Sequence, residues 1–360
     1  MLNGRCILII SPESWGDNFL SKHHYALELA KRDNQVFFLG TKVEGEKLFI
    51  DGNIRELYSP KTIPAIRFLP SFIRRKIDLR TIDAVNRQIG SRPDIIWSFD
   101  NSRFYNLLSW GKDTLRIAHI MDYRMDYNLR EHAHSASICF GVTSAIVNKL
   151  KRANPNSHFI QHGVQFSDVT KVEREVKNPL AVYVGNLNIP FIDWPLIFRT
   201  VDEFPEVCFE FIGSFGIDNL NDQISNGDQI SRLAKRKNVV LRGVLEREAL
   251  TARLHGADVL LVFYDHKNFF YEVSNSHKIL TYLSTGKTIV STWIEEYKDA
   301  GLLEMSYDDE EFLAKMKDVA GRLDYYNAKE RCAKRMMYAK DNTYAEQVNR
   351  IESLLKVVKK

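Results

Sequence analysis

The chain has 360 residues, 44% of them hydrophobic and 27% charged, with a formal net charge of +4. These values fit a globular protein of two ordinary domains and exclude a low-complexity, fibrous or strongly basic nucleic-acid-coating chain. Four scattered cysteines (Cys6, Cys139, Cys208, Cys332) form no CxxC, which argues against a disulfide scaffold or zinc site and suits a reducing cytoplasm.

The sequence enters a strand at once, so no signal peptide is expected, and no apolar run reaches the ~18 residues of a membrane helix. Arg5–Ile10 reads as a buried strand, Phe19–Lys31 as an amphipathic helix and Gln35–Leu39 as the next strand. Ile77–Ile89 has helical spacing, and strands follow at Asp94–Phe99 and Leu115–Ile120. A polar helix starts at Asn128–His134, Ile138–Val142 is a strand, and Ser144–Ala153 is a helix closed by Asn154-Pro155. Phe159–Ile160 begins a last short strand. Ser167–Pro179 is polar and reads as an interdomain linker.

The alternation then restarts. Strands are expected at Leu180–Val184, Val207–Ile212 and Val239–Leu241, and helices at Trp194–Glu203, Gln229–Lys235 and Arg247–His255. Ala257–Thr292 reads as strand, polar loop, short helix, Gly286 and strand. Helices at Asp309–Ala320, Lys329–Lys340 and Tyr344–Val358 finish the chain. The pattern predicts an α/β protein of two Rossmann-like domains, 1–168 and 177–342, facing a central cleft. A C-terminal helix, 343–360, is expected to return to the first domain. Ligands of open parallel sheets bind at the carboxyl ends of the strands, so the loops there hold the candidate sites.

No GxGxxG follows the first strand of either half, where SPESWGDN and GNLNIP stand instead, which disfavours a nicotinamide or flavin enzyme. Asn275 or Ser276 can cap a helix with Lys278 in its first turn. Free N–H groups, the positive dipole end and an ammonium make that a phosphate-holding arrangement. The ordinary alternative is a solvated helix lysine. The pairs His23-His24 and His132/His134 lack metal-ligand partners and are read as surface or cleft residues.

Five blocks occur in order: HGVQF (His162–Phe166), YVGNLN (Tyr183–Asn188), FEFIGSF (Phe209–Phe215), NVVLRGVLEREAL (Asn238–Leu250) and Ala257–Thr292. Together they resemble the GT-B class of nucleotide-sugar glycosyltransferases, in particular family-4-like and glucuronosyltransferase-like bacterial polysaccharide enzymes. The first half matches more loosely, through SPESW and HIMDY (His119–Tyr123). The resemblance implies a hexosyltransferase that moves a sugar from a nucleoside-diphosphate sugar to a glycan or lipid-linked hydroxyl. It further implies envelope or extracellular polysaccharide synthesis, a cytoplasmic place that can extend to the inner face of the membrane, and no bound metal or cofactor. A sugar-nucleotide 2-epimerase and a non-catalytic nucleotide-sugar-binding protein remain alternatives.

Residue by residue, the resemblance places Gly185 and Asn186 at the donor pyrophosphate and Arg242 at the base. It places Tyr264 as a pocket wall, Glu272 at sugar hydroxyls, and Ser274, Asn275, Ser276 and Lys278 at the diphosphate. Family-4 enzymes carry a spaced pair of glutamates; the matching positions here are Val273 and Thr281, which favours the inverting relatives. These need one base, assigned to Asp122, with Asp126 and His119 as alternatives. Trp15, Gly16 and His23, in the loop after the first strand, are assigned to the acceptor. Ile63–Arg80 mixes apolar residues with Arg67, Arg74, Arg75, Lys76 and Arg80, and suits contact with an anionic membrane surface or simple docking on its own domain.

Overall fold

The computed structural model describes residues 1–16, 19–43, 49–60, 69–104, 106–123, 128–166, 178–215 and 226–358. They fall into two compact units, Met1–Gly163 with Tyr344–Lys360, and Val164–Thr343. Most of the expected linker, together with Asp17, Arg67 and Asp126, lies outside the described residues.

In the first unit the strands are β1 (Cys6–Ile10), β2 (Gln35–Leu39), β3 (Phe49–Asp51), β4 (Ile54–Leu57), β5 (Ile95–Ser98), β6 (Leu115–Ile120), β7 (Ile138–Gly141) and β8 (Ser157–Phe159). Their order is β3-β4-β2-β1-β5-β6-β7-β8, and every pair is parallel except β3 with β4. The helices are α1 (Ser21–Ala30), α2 (Ser71–Ile89), α3 (Leu129–Ser135) and α4 (Ser144–Lys151). The unbroken apolar run of β1 follows from burial on both faces. Ile7 and Ile9 join Tyr25 and Leu29 of α1, whereas Leu8 and Ile10 join Ile82 and Val85 of α2 and Leu150 of α4. β3 and β4 escape sequence reading because they are short and β4 carries Arg55 and Glu56; pairing of β4 with β2, and of β3 with β4, makes them strands. α2 begins at Ser71, ahead of the Ile77 expected, because its first turns face solvent and leave no apolar period to read.

The second unit holds β9 (Leu180–Val184), β10 (Cys208–Ile212), β11 (Val239–Arg242), β12 (Val259–Val262), β13 (Thr288–Thr292) and β14 (Glu304–Ser306). All pairs are parallel, in the order β11-β10-β9-β12-β13-β14. The helices are α5 (Trp194–Glu203), α6 (Gly227–Leu233), α7 (Arg247–Gly256), α8 (Phe270–Val273), α9 (His277–Ser284), α10 (Asp309–Gly321), α11 (Leu323–Tyr326) and α12 (Lys329–Lys340). α5 starts where Asp193 accepts the Leu196 N–H at 3.0 Å and Pro195 follows Trp194, a cap and a first-turn proline acting together. α9 stops at Gly286, whose φ of +74° favours glycine. Strand order reverses between β9 and β12, so a ligand crevice opens at their carboxyl ends.

The last helix, α13 (Tyr344–Val358), follows the second unit in sequence and joins the first in space. Its stripe of Tyr344, Val348, Ile351 and Leu355 is buried with Ile7, Tyr25 and Trp97. Arg32 donates to Asn349 Oδ1 at 2.7 Å, and Glu352 accepts the Leu2 N–H at 3.0 Å. The return of this helix to the first unit is as the sequence predicts.

Candidate functional site

At the β9–β12 switch, the chain leaves β9 through Gly185. Its N–H donates to Ile212 O at 2.9 Å, and the next turn is tied down by Leu187 N–H to Ser214 O at 2.9 Å. A Cβ on Gly213 would stand 2.2 Å from Gly185 O, so the two turns after β9 and β10 are in backbone contact. Asn186 turns its Oδ1 inward to accept the Asn188 N–H at 2.8 Å, closing the loop on itself. Asn226 clamps the same loop from α6, donating to Leu187 O at 2.9 Å.

Lys278 sits against this loop. Its Nζ is 4.1 Å from the centroid of the Tyr183 ring and 4.8 Å from that of Tyr264. The ammonium is buried and, among the described residues, has no hydrogen-bond partner. A Cβ on Gly185 would lie 2.7 Å from Nζ and 3.0 Å from the Tyr183 hydroxyl, so glycine is what lets both polar atoms approach the turn. Burial pulls the Lys278 ammonium down, and the Tyr183 and Tyr264 oxygens outweigh it, so the group stays charged at neutral pH. Burial pushes the Tyr183 phenol up to about 12. Four residues after Lys278 on the same face of α9, Tyr282 accepts the Val184 N–H at 2.7 Å and pins the helix to β9.

The polar loop before α9 is arranged around this cation. The Tyr264 and Ser276 hydroxyls are 2.9 Å apart. Ser274 Oγ donates to Tyr271 O at 2.9 Å, and Ser274 O accepts the Glu296 N–H at 3.0 Å. Asn275 is buried, and Glu272 stands partly exposed on α8. The structure thus brings Gly185, Tyr264, Ser276 and Lys278 together. Arg242 closes β11, where its Nη2 donates to Glu210 Oε1 at 2.9 Å; its carbonyl accepts the Gly213 N–H at 3.1 Å. An arginine so paired shapes the turn after β10 as much as it faces solvent.

In the first unit the predicted residues occupy the carboxyl rim of the sheet. Trp15 donates its N–H to Glu56 Oε1 at 3.0 Å and meets Phe38 edge-on at 5.0 Å. Gly16 is exposed. His23 is fully buried, contrary to the expected surface or cleft position. Its Nδ1 accepts the Leu20 N–H at 3.0 Å, and its Nε2 lies 3.1 Å from Ser14 O, so both nitrogens hold the loop. Burial lowers its pKa, and the neutral ring stacks on Phe38 at 5.0 Å. His132 is likewise buried rather than exposed, 3.0 Å from Phe104 O, because α3 turns it into the core. His119 is buried among aromatic rings and accepts from Trp97 Nε1 at 3.4 Å. Burial pushes it down to about 3, so the ring is neutral at physiological pH. Asp122 is exposed just beyond β6.

Tyr183, Tyr282 and Arg103 escape sequence reading. The Tyr282 signal was its spacing from Lys278, and that of Tyr183 its place two residues before Gly185 on the alternating strand. Arg103 donates from Nε to Asp100 Oδ2 at 2.8 Å, from Nη1 to Gly40 O at 2.7 Å and Ser59 Oγ at 3.1 Å, and from Nη2 to Ser11 O. It therefore ties together the segments that follow β1, β2, β4 and β5. Burial raises the Asp100 carboxyl, but Arg103 and Ser102 outweigh it and hold it below the ordinary value.

No protein-family model and no curated protein matches this sequence. Solved structures do match in fold. A sucrose-phosphate synthase from Thermosynechococcus elongatus superposes with a TM-score of 0.74 at 12% identity, over 98% of this chain and 99% of that one. A glycosyltransferase from Rickettsia africae gives 0.73 at 12%, over 99% of both chains. The Anabaena protein HepE, solved in complex with UDP and glucose, gives 0.65 at 12%, over 97% of this chain and 99% of that one. The two Rossmann-like units of this chain therefore make the GT-B fold seen in glycosyltransferases.

Proposed function

We propose that the chain is a glycosyltransferase that moves a sugar from a nucleoside-diphosphate sugar to a hydroxyl of a glycan or lipid-linked acceptor. The observation that carries this reading is the buried Lys278 ammonium, unpaired with any carboxylate among the described residues, beside the Gly185 turn at the switch point. A buried cation without a counter-ion is costly, and an anionic ligand is its natural complement. The Anabaena neighbour holds UDP, so a uridine nucleotide is the first donor to test.

In this scheme negative charge grows on the leaving diphosphate as the anomeric bond breaks. Lys278, Ser276 and the first N–H groups of α9 are placed to stabilise it. Asn186, Ser274 and Asn275 shape the phosphate loop, Glu272 binds sugar hydroxyls, and Arg242 and Tyr264 border the base. Asp122 takes the acceptor proton, and Trp15, Gly16 and His23 form the acceptor loop, with His23 as its fastener. We assign the product to envelope or extracellular polysaccharide and the reaction to the cytoplasm, without a bound metal.

Calorimetry with UDP and a panel of UDP-sugars in EDTA tests the reading, followed by product analysis with and without acceptor. Binding followed by transfer is expected. Absence of any nucleoside-diphosphate binding would overturn the reading, and donor isomerised without acceptor would make the protein an epimerase.

Membrane contact belongs to the same proposal. On one exposed face of α2 stand Phe72, 65% exposed, and Leu79, 41% exposed, with Arg75, Lys76 and Arg80 between and beside them. Apolar anchors flanked by cations suit the interface of an anionic bilayer. No helix among the described residues is long and apolar enough to cross a membrane.

A further inference from the structure

Three aromatic rings follow three neighbouring strands of the second unit: His266 after β12, Trp293 after β13 and Tyr307 after β14. Tyr307 meets His266 edge-on at 5.0 Å and Trp293 edge-on at 5.8 Å. Tyr307 is 58% exposed, and Trp293 is partly exposed. Trp293 is held in place by its Nε1, which donates to Glu295 Oε2 at 2.9 Å. His266 is only 4% exposed, and among the described residues its Nε2 has no hydrogen-bond partner. Burial keeps this imidazole neutral at physiological pH, so it can exchange a hydrogen bond with a hydroxyl.

This shelf is connected to the Lys278 cradle by direct bonds. Tyr264 donates its N–H to Thr292 Oγ1, immediately before Trp293, at 2.9 Å. The Glu296 N–H to Ser274 O bond joins the segment after Trp293 to the phosphate loop. Strand spacing puts β13 and β14 about 5 and 10 Å beyond β12. That is the scale of one hexose ring next to a diphosphate held at β9 and β12. Partly exposed aromatic rings beside a carboxylate and a neutral imidazole suit a ligand with C–H faces and hydroxyls. A second phosphate would find no cation on the rings themselves.

We propose that His266, Trp293 and Tyr307 form a saccharide subsite beside the diphosphate cradle; its position rests on the donor-binding reading, while its chemistry can be tested apart from it. The sugar comes either from the donor or from a free glycan, and the two sources need separate arms. Calorimetry of the full chain with UDP alone, with UDP-glucose, UDP-galactose, UDP-N-acetylglucosamine and UDP-glucuronic acid, and with free cellobiose, maltose and lactose provides them. The proteins are the wild type, Tyr307→Ala and Trp293→Leu.

UDP affinity is expected to stay within twofold in both variants, while at least one saccharide-bearing probe loses tenfold or more. Loss confined to UDP-sugars assigns the shelf to the donor sugar, and loss with free disaccharides assigns it to the glycan. Unchanged affinities for every sugar-bearing probe, or no wild-type response to sugar beyond that to UDP and none to the free disaccharides, would overturn the subsite. Failure of UDP itself to bind would instead count against the donor-binding reading, and the disaccharide arm would still decide the shelf. Trp293→Phe keeps an aromatic ring if the leucine variant misfolds. Saccharide-induced change in indole emission should be present in the wild type and lost in that variant.

Discussion

The residue that organises the second unit is Lys278, an ammonium held by two tyrosine faces in place of a carboxylate. Cation–π contacts return about 2 kcal/mol each when desolvated, and here the two tyrosines offset the burial of the charge. Lys278→Met keeps the volume and drops the charge. It is expected to weaken UDP binding at least 50-fold by calorimetry. Tyr183→Phe retains the ring face and should bind UDP within about threefold of wild type. Tyr183→Leu removes that face and should lose tenfold or more, roughly 1–2 kcal/mol. Gly213→Ala drives a Cβ to 2.2 Å from Gly185 O, backbone that cannot swing aside, at a φ of +142°. Overpacking of this kind costs about 1–3 kcal/mol, so chemical denaturation should show a fall of that size. The lysine was legible because a helix start, a polar loop and a strand frame it. Its cage was not, because Tyr183 lies far from it in sequence and meets it only when β9 and β12 pair.

At the scale of elements, α2 shows how much a helix face can hide. Its inner side carries Ile82 and Val85, whose spacing is readable, and also Asp78, only 5% exposed. Burial pushes the Asp78 carboxyl up to about 6, with Arg74 pulling it down and Glu131 adding to the rise. The folded chain therefore binds a proton that the unfolded chain has already released between about pH 4 and pH 6. Stability from this group falls as pH rises through that window and is level above it. Asp78→Asn is expected to stabilise the protein by about 1 kcal/mol at pH 7.5, with the gain shrinking at pH 4.5, as thermal melts at the two values would show. The outer side of α2 makes its own prediction. Flotation with phosphatidylglycerol vesicles should carry the wild type, and Phe72→Glu should lose that association while folding normally; equal flotation on neutral phosphatidylcholine would remove the role of Arg75, Lys76 and Arg80. β3, β4 and β14 are strands that sequence reading misses. Each is short, and a strand of a few residues is made by its neighbour's hydrogen bonds more than by its own pattern.

For the whole molecule, α13 is the clearest test of assembly. Its buried stripe lies in the core of the first unit, although the whole second unit separates it from that unit in sequence. Ile351→Ala and Leu355→Ala should each cost about 2–5 kcal/mol. Deleting Tyr344–Lys360 should make the first unit sensitive to limited proteolysis while fragments of the second persist. Sequence alone determined the alternation of strand and helix, the division into two α/β units, the apolar stripe of α13 and the phosphate-holding character of the α9 start. Those features are local: period, caps, glycine stops and charge at a helix end can be read within a turn or two. Only the tertiary structure decided that Lys278 has aromatic rather than anionic company, that His23 and His119 are buried and neutral, and that Arg103 ties four strand ends into one rim. Burial and partner choice depend on which strands become neighbours, and parallel pairing brings together residues that no local pattern connects.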